Sequence, residues 1–237
     1  MNNNDFANNS NVAMLEIVAQ MLGDLCESLT FVGGCATGLL VTTVRARQIR
    51  LTQDVDVVAK AVTIGDYHRM ENLLAGKGFK NDTSPEAPIC RWVGGGVKLD
   101  LMPSSPGVLS FHNRWYPLAV ATASPVRLPS GRTIGLVAAP VFVATKLEAF
   151  NSRGGGDFLL SHDLEDIVTV IDGRPTLADE IRHSPEELRI YIAEQMRALE
   201  HAPGFLDALA GHLPGDRASQ ARLPTLIDRL KELSRVS

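Results

Sequence analysis

Apolar residues recur at three- and four-residue spacing from Val12 through Leu15, Val18 and Ala19 to Leu22, the period of a helix with one buried face. Leu29-Thr30-Phe31-Val32 follows as a short β-favouring run and ends in Gly33-Gly34. From Ala36 to about Gln48 the chain reads as a helix despite several threonines and valines. Strand character then returns over 55–59, with Asp54 and Asp56 two positions apart. Thr63 and Asp66 have the form of a capping box and open a helix that closes at the Gly76-Lys77-Gly78 turn. Three glycines at 94–96 separate strands at 89–93 and 97–102 in the manner of a hairpin. A second hairpin is predicted from 120–128 and 133–136, joined through Pro129-Ser130-Gly131-Arg132.

From Pro140 the period changes. Proline suits the first turn of a helix, and Val143, Leu147 and Phe150 share one face of it. Glycines at 154–156 interrupt the chain, and further helices are predicted near 163–171, 185–200, 204–210 and 223–234. Ser184-Pro185-Glu186-Glu187 supplies a helix start signal. The pattern therefore predicts an α+β domain over 1–157 and a helical region over 158–237.

At 237 residues and 45% hydrophobic, the chain is long and apolar enough for a sizeable core. Its longest apolar runs, 118–123 and 136–144, fall far short of the roughly 20 residues that cross a bilayer. The start is Asn-rich and polar to Asn11, a frayed tail with no basic segment leading into an apolar one, which points to the cytoplasm and away from membranes. Cys26, Cys35 and Cys90 are scattered among apolar or small neighbours and read as reduced, buried thiols. A formal charge of −4 argues against a broad basic surface for long nucleic acids. Arg45, Arg47 and Arg50 leave room for a locally basic cleft that could take a nucleotide or a short RNA end. The six histidines fall into no ligand spacing, and Trp92 and Trp115 read as core or rim residues.

The sharpest chemical signal is Leu51-Thr52-Gln53-Asp54-Val55-Asp56-Val57-Val58. Alternation in a strand sends Asp54 and Asp56 to one face and Val55 and Val57 to the other. Two such carboxylates repel unless a cation lies between them, and Mg²⁺ or Mn²⁺ prefers oxygen ligands. The plainer alternative is two solvated aspartates on an exposed strand face. Asp100, flanked by apolar residues in Val97-Lys98-Leu99-Asp100-Leu101-Met102, adds a third carboxylate from a second strand, the composition of a metal centre for phosphoryl transfer. Gly33-Gly34, where a strand hands over to a helix, would let backbone N–H groups approach phosphate oxygens; a tight turn is the alternative. Arg50 is expected to share the face of Thr52 and Asp54.

The combination of Gly33-Gly34, Arg50-x-Thr52-x-Asp54-Val55-Asp56 and Asp100 resembles the polymerase-beta-type nucleotidyltransferase superfamily, and within it the AbiEii-like branch of type IV toxin–antitoxin toxins. The resemblance spans roughly 30–170 and includes Thr145-Lys146-Leu147 with Arg153, then Asp163 and Asp166. It implies a nucleotidyltransferase fold with a small mixed β-sheet backed by helices. It also implies an enzyme that transfers an NMP from an NTP to a hydroxyl of an RNA end such as a tRNA, a protein or a small molecule, with a cognate antitoxin as partner. Asp54, Asp56 and Asp100 would hold Mg²⁺ or Mn²⁺ and orient the acceptor, Gly33 and Gly34 would contact the β and γ phosphates, and Lys146 would neutralise phosphate charge. Asp163 or Asp166 would fix Lys146 or the base; alternatively Asp163 is an N-cap and Lys146 a snorkelling surface residue. Cys35 stands where the superfamily usually has serine, and Thr37 could supply the hydroxyl instead. Three other readings stay open: a decayed nucleotide-binding or regulatory module of the same fold, a metal-dependent phosphohydrolase, and an interaction protein built mainly on the C-terminal helices.

Overall fold

The computed structural model describes residues 10–43, 49–153 and 156–236. The tail over 1–9, Arg45, Arg47, the far end of the helix expected to reach Gln48, and Gly154 and Gly155 lie outside these described residues. The chain forms two compact units, one made of Met1–Gly38 and Arg50–Ala138, the other of Leu39–Ile49 and Ala139–Ser237.

The first unit opens with α1 (Ser10–Leu22), whose Val12, Leu15, Val18, Ala19 and Leu22 are all buried, as their spacing predicts. Then come β1 (Leu29–Val32), α2 (Gly33–Leu40), β2 (Asp54–Ala59), α3 (Ile64–Gly76), β3 (Lys80–Asn81), β4 (Arg91–Gly94), β5 (Val97–Pro103), α4 (Tyr116–Ala121), β6 (Ser124–Arg127) and β7 (Thr133–Leu136). The seven strands form one mixed sheet in the order β3-β4-β5-β2-β1-β7-β6. β2 runs parallel to β5 and β1 parallel to β7, and the other neighbours are antiparallel. Phe31, Val57 and Leu101 stand side by side across β1, β2 and β5, as do Val55 and Leu99 across β2 and β5. All five are fully buried; the opposite face is buried as well at Val32, Val58 and Met102 and opens only toward the start of β2, where Asp54 and Asp56 lie.

Local signals account for the turns. Thr63 caps α3 in a reciprocal capping box with Asp66. Gly94 pairs with Val97, so only Gly95 and Gly96 form the turn, with φ +57° and +79°. Two consecutive positive φ angles characterise the type I′ hairpin and select glycine. Two expectations need correction. α2 starts at Gly33 and ends at Leu40, well before Gln48, because Thr42 and Thr43 donate their backbone N–H groups to Gly173 O instead of continuing the helix. The β-branched run of Val41, Thr42 and Thr43 gives little resistance to that exchange. The strand expected from Val120 begins only at Ser124, since α4, with Pro117 in its first turn, takes Leu118 to Ala121 and the Thr122 hydroxyl closes it on Leu118 O.

The second unit is helical: α5 (Ala139–Arg153), α6 (His162–Gly173), α7 (Leu177–Arg182), α8 (Glu186–His201), α9 (Phe205–Ala208), α10 (Arg217–Gln220) and α11 (Leu223–Leu233). α5 and α11 each pack against both α6 and α8. Leu226, Leu230 and Leu233 form the buried stripe of α11, and Leu188, Ile192, Met196 and Leu199 that of α8. α7 and α10, at six and four residues, were too short to leave a periodic signal. Ser161, and not Asp163, caps α6 by accepting from Leu164 N. The whole is an α+β fold with a mixed sheet backed by helices and a C-terminal helical region. Among the described residues no helix is long and apolar enough to cross a membrane.

Candidate functional site

Asp56 in β2 stands opposite Asp100 in β5, and Asp100 stands opposite Arg91 in β4. Residues paired across strands project from the same face, and Asp54, two positions before Asp56, shares it. Burial follows this parity: Val55 and Val57 are sealed, Asp54 and Asp56 are half-buried, and Asp100 is 7% exposed. The three aspartates singled out in the sequence therefore emerge from two adjacent parallel strands on the face opposite Val55, Val57, Leu99 and Leu101.

Arg91 sets the electrostatics of this face. Its Nε donates to Asp100 Oδ1 at 2.8 Å, and its Nη2 donates to Asp100 Oδ2 at 2.7 Å and to Asp54 Oδ2 at 2.5 Å. The planar guanidinium matches the geometry of one carboxylate with two parallel bonds and still reaches the second. Hydrogen bonding to Asp100 outweighs desolvation and raises the Arg91 pKa further above its usual value, so the group is a permanent cation here. Next to it, burial, followed by the charges of Asp100 and Asp56, pushes the Cys90 thiol up to about 12, which keeps it neutral and unreactive. The sequence reading passed over Arg91. A sufficient signal was present: pairs counted outward from Gly94 opposite Val97 set Arg91 against Asp100.

A divalent ion needs carboxylate oxygens that converge on one centre with their lone pairs available. Both oxygens of Asp100 and one of Asp54 are already committed to Arg91. Among the described residues no group of three or more His, Cys, Asp or Glu side chains is arranged to hold a metal ion. The donor chemistry suits Mg²⁺ or Mn²⁺, but the arrangement does not fit one, because a guanidinium stands where the cation would bridge.

Gly33 has φ +69°, and a Cβ placed there would overlap the Asp56 carboxylate. Glycine is required at this position on two grounds, the left-handed backbone and the close approach of Asp56 to the first residue of α2. In this arrangement the space above Gly33 is filled by that carboxylate. Gly34 and Cys35 are buried, and Cys35 Sγ lies 3.5 Å from Val32 O. Thr37 is fully enclosed, and its hydroxyl has no hydrogen-bond partner among the described residues. Arg50 precedes β2, so strand parity does not extend to it; its Nη1 donates to Leu51 O at 3.4 Å. Asn11 ties this approach to β2 in place. Its Nδ2 donates to Arg50 O at 2.9 Å, and its Oδ1 accepts from Thr52 N at 3.1 Å. Asn11 is 1% exposed, although it lies at the end of what reads as a polar tail.

In the second unit, Lys146 Nζ lies 2.7 Å from Asp166 Oδ2 and 3.1 Å from Asp163 Oδ1. Arg153 reaches Asp163 with Nε and Nη2, both at 3.0 Å. Lys146, Asp163 and Asp166 are all buried, and Lys146 also sits 5.9 Å from the Phe142 ring centroid. Burial raises the Asp163 carboxyl, but the Arg153 hydrogen bonds and the Lys146 charge outweigh it and hold the group below its usual value. Both acids named in the sequence thus meet Lys146, which is enclosed and not snorkelling to solvent.

No family model matches the chain, and no curated protein matches it. Among solved structures it is similar to a protein of H. pylori provisionally described as a nucleotidyltransferase, at 12% identity over 94% of this chain and 91% of that one, with a TM-score of 0.43. At that TM-score the likeness assigns neither family nor activity.

Proposed function

We propose that the chain is a nucleotide-binding or regulatory module of the nucleotidyltransferase type, in which the Asp54, Asp56 and Asp100 face is held in a non-transferring arrangement. The observation that carries this reading is the Arg91 fork between Asp54 and Asp100. Where a transferring site would offer open carboxylate oxygens, this face engages three of them with Arg91 and fixes their orientation. The resemblance carried by Gly33-Gly34, the Asp-x-Asp strand and Asp100 supplies the nucleotide part of the reading. Cys35 at the serine position agrees with a site released from transfer, since a thiol is a poorer partner for phosphate oxygen.

The test pairs binding with turnover. Each of the four NTPs is titrated into the protein with Mg²⁺ by calorimetry, and pyrophosphate is measured in parallel with total RNA and a protein extract as acceptors. The expected result is saturable binding of at least one NTP without pyrophosphate. Binding of none of them overturns the reading.

One observation favours a second reading. Asp56 and Asp100 are in register on neighbouring strands with Asp54 on the same face, the spatial grouping a transferase needs. Under this reading the chain transfers an NMP to an RNA end, a protein or a small molecule, and as an AbiEii-like toxin it would be silenced by a cognate antitoxin. Sustained pyrophosphate release that disappears in Asp56→Asn, with the fold retained, would establish it over the first.

A further inference from the structure

Arg91 comes from a hairpin strand whose register is set by a two-residue glycine turn, so its guanidinium is delivered to Asp100 by backbone geometry and does not arrive by chance rotation of a surface side chain. Its side chain is 17% exposed and that of Asp100 10%, so the pair is shielded from the screening that makes surface ion pairs weak. Asp54 is more open at 31%, and its bond to Arg91 spans 37 residues of sequence, from a different strand. One guanidinium therefore bridges β4, β5 and β2 through three hydrogen bonds. Three carboxylates against Arg91 and Lys98, which stands opposite Asp54, still leave the face net acidic, so a cation is attracted, while the oxygens it would bridge are already occupied.

We propose that Arg91 is a built-in cation for this face: it takes the bridging place between Asp54 and Asp100, and a divalent ion binds there only by displacing it. The site is thereby kept closed to free metal at the concentrations at which an open pair of aspartates would load. The inference deepens the non-transferring reading by naming what holds the face in that state. Because both cations contend for the same oxygens, removing the guanidinium strengthens ion binding, and removing Asp54 cancels that gain.

The probe is Mn²⁺ alone, followed by its electron paramagnetic resonance signal and by calorimetry, on wild type, R91Q, R91K and R91Q/D54N, each checked for its fold by circular dichroism. The expected outcome is weak binding by wild type, binding at least about tenfold tighter by R91Q, an intermediate value for R91K, and loss of the gain in R91Q/D54N; tenfold corresponds to about 1.4 kcal/mol. Equal Mn²⁺ affinity in wild type and R91Q overturns the proposal, as does a gain that survives in R91Q/D54N. Should R91Q fail to fold, the Arg91 Nε–H resonance of wild type decides: it must shift or exchange faster as Mg²⁺ is added. An unmoved resonance at a Mg²⁺ concentration that shifts the Asp54 carboxyl signal counts against competition. Nucleotide is absent from every arm, so failure of NTP binding removes the functional reading and leaves this result standing on its own.

Discussion

Replacing Lys146 with methionine tests how the helical unit is held together. Methionine keeps the length and apolar stem of the side chain and removes the ammonium that lies 2.7 Å from Asp166 and 3.1 Å from Asp163. The side chains of these acids are 2% and 7% exposed, so water cannot readily replace the lost partner. Arg153 still reaches Asp163, but its side chain is 70% exposed and its pairing is discounted by solvent. Breaking a buried pair on one side costs about 3–5 kcal/mol, which for a chain of this size lowers Tm by on the order of 10 °C. Guanidinium unfolding followed by far-UV circular dichroism is the assay, because the long α8 and most of the other helices belong to this unit. Trp92 and Trp115 both lie in the other unit, so their fluorescence serves as an internal control. K146M/D166L, which removes both charges, should recover at least half of the loss. The acid limb adds a second check. Asp163 is held below the usual carboxylate value in the fold, so its contribution is present above about pH 4 and is lost as pH falls through its folded value. In K146M one of the groups holding it down is gone, so the gap between variant and wild type narrows as pH falls below about 4. A K146M cost under about 1 kcal/mol at neutral pH would refute the claim that this cluster supports the fold.

Three further outcomes are expected. Gly33→Ala should destabilise the sheet unit by about 1–3 kcal/mol through backbone strain and overlap with Asp56; on a D56G background the overlap is gone, so G33A/D56G compared with D56G alone should show only the strain, as read by tryptophan fluorescence. Asn11→Ala leaves Arg50 O and Thr52 N without the amide that now serves both, at a cost of about 1–3 kcal/mol in the same assay. Cys90, with its thiol pushed up to about 12 by burial, should resist a thiol reagent at mildly alkaline pH in the native protein and react at once in denaturant; fast native labelling at Cys90 would show that it is not enclosed.

What the sequence made legible was whatever depends on period and on local turn chemistry. The shared face of Asp54 and Asp56 follows from strand alternation alone, and the α3 start from a capping box that is complete within four residues. The stripe of α1 and the buried thiols that form no disulfide belong to the same class. What was missed depends on register or on neighbours distant in sequence. The apolar stretch around Leu118 to Val120 suits strand and helix equally, and only the proline at its start and the closing Thr122 bond decide for helix. Asn11 resembles the end of a polar tail until the approach to β2 folds back onto it. α2 stops at Leu40 because two threonines find a carbonyl 130 residues away, which no local pattern encodes.

The asymmetry of the Arg91 fork gives the carboxylates unequal roles, although their spacing in the sequence makes them look alike. Asp100 accepts two of the three bonds and its side chain is 10% exposed; Asp54 accepts one and is 31% exposed. Asp100→Asn removes the anion that pairs with the fork and leaves a shielded guanidinium holding a single, more open carboxylate. Asp54→Asn leaves the two-bond pair untouched and removes an interaction partly screened by water. The first should therefore cost about 2–4 kcal/mol and the second less than about 1 kcal/mol, measured by denaturant unfolding with tryptophan fluorescence. The order follows from the hydrogen-bond count and exposure together, since a pure charge argument would relieve repulsion equally in both variants. If D54N proved the more damaging, Asp54 and not Asp100 would be the anchor of Arg91, and the strand register that delivers the guanidinium would no longer explain the state of the site.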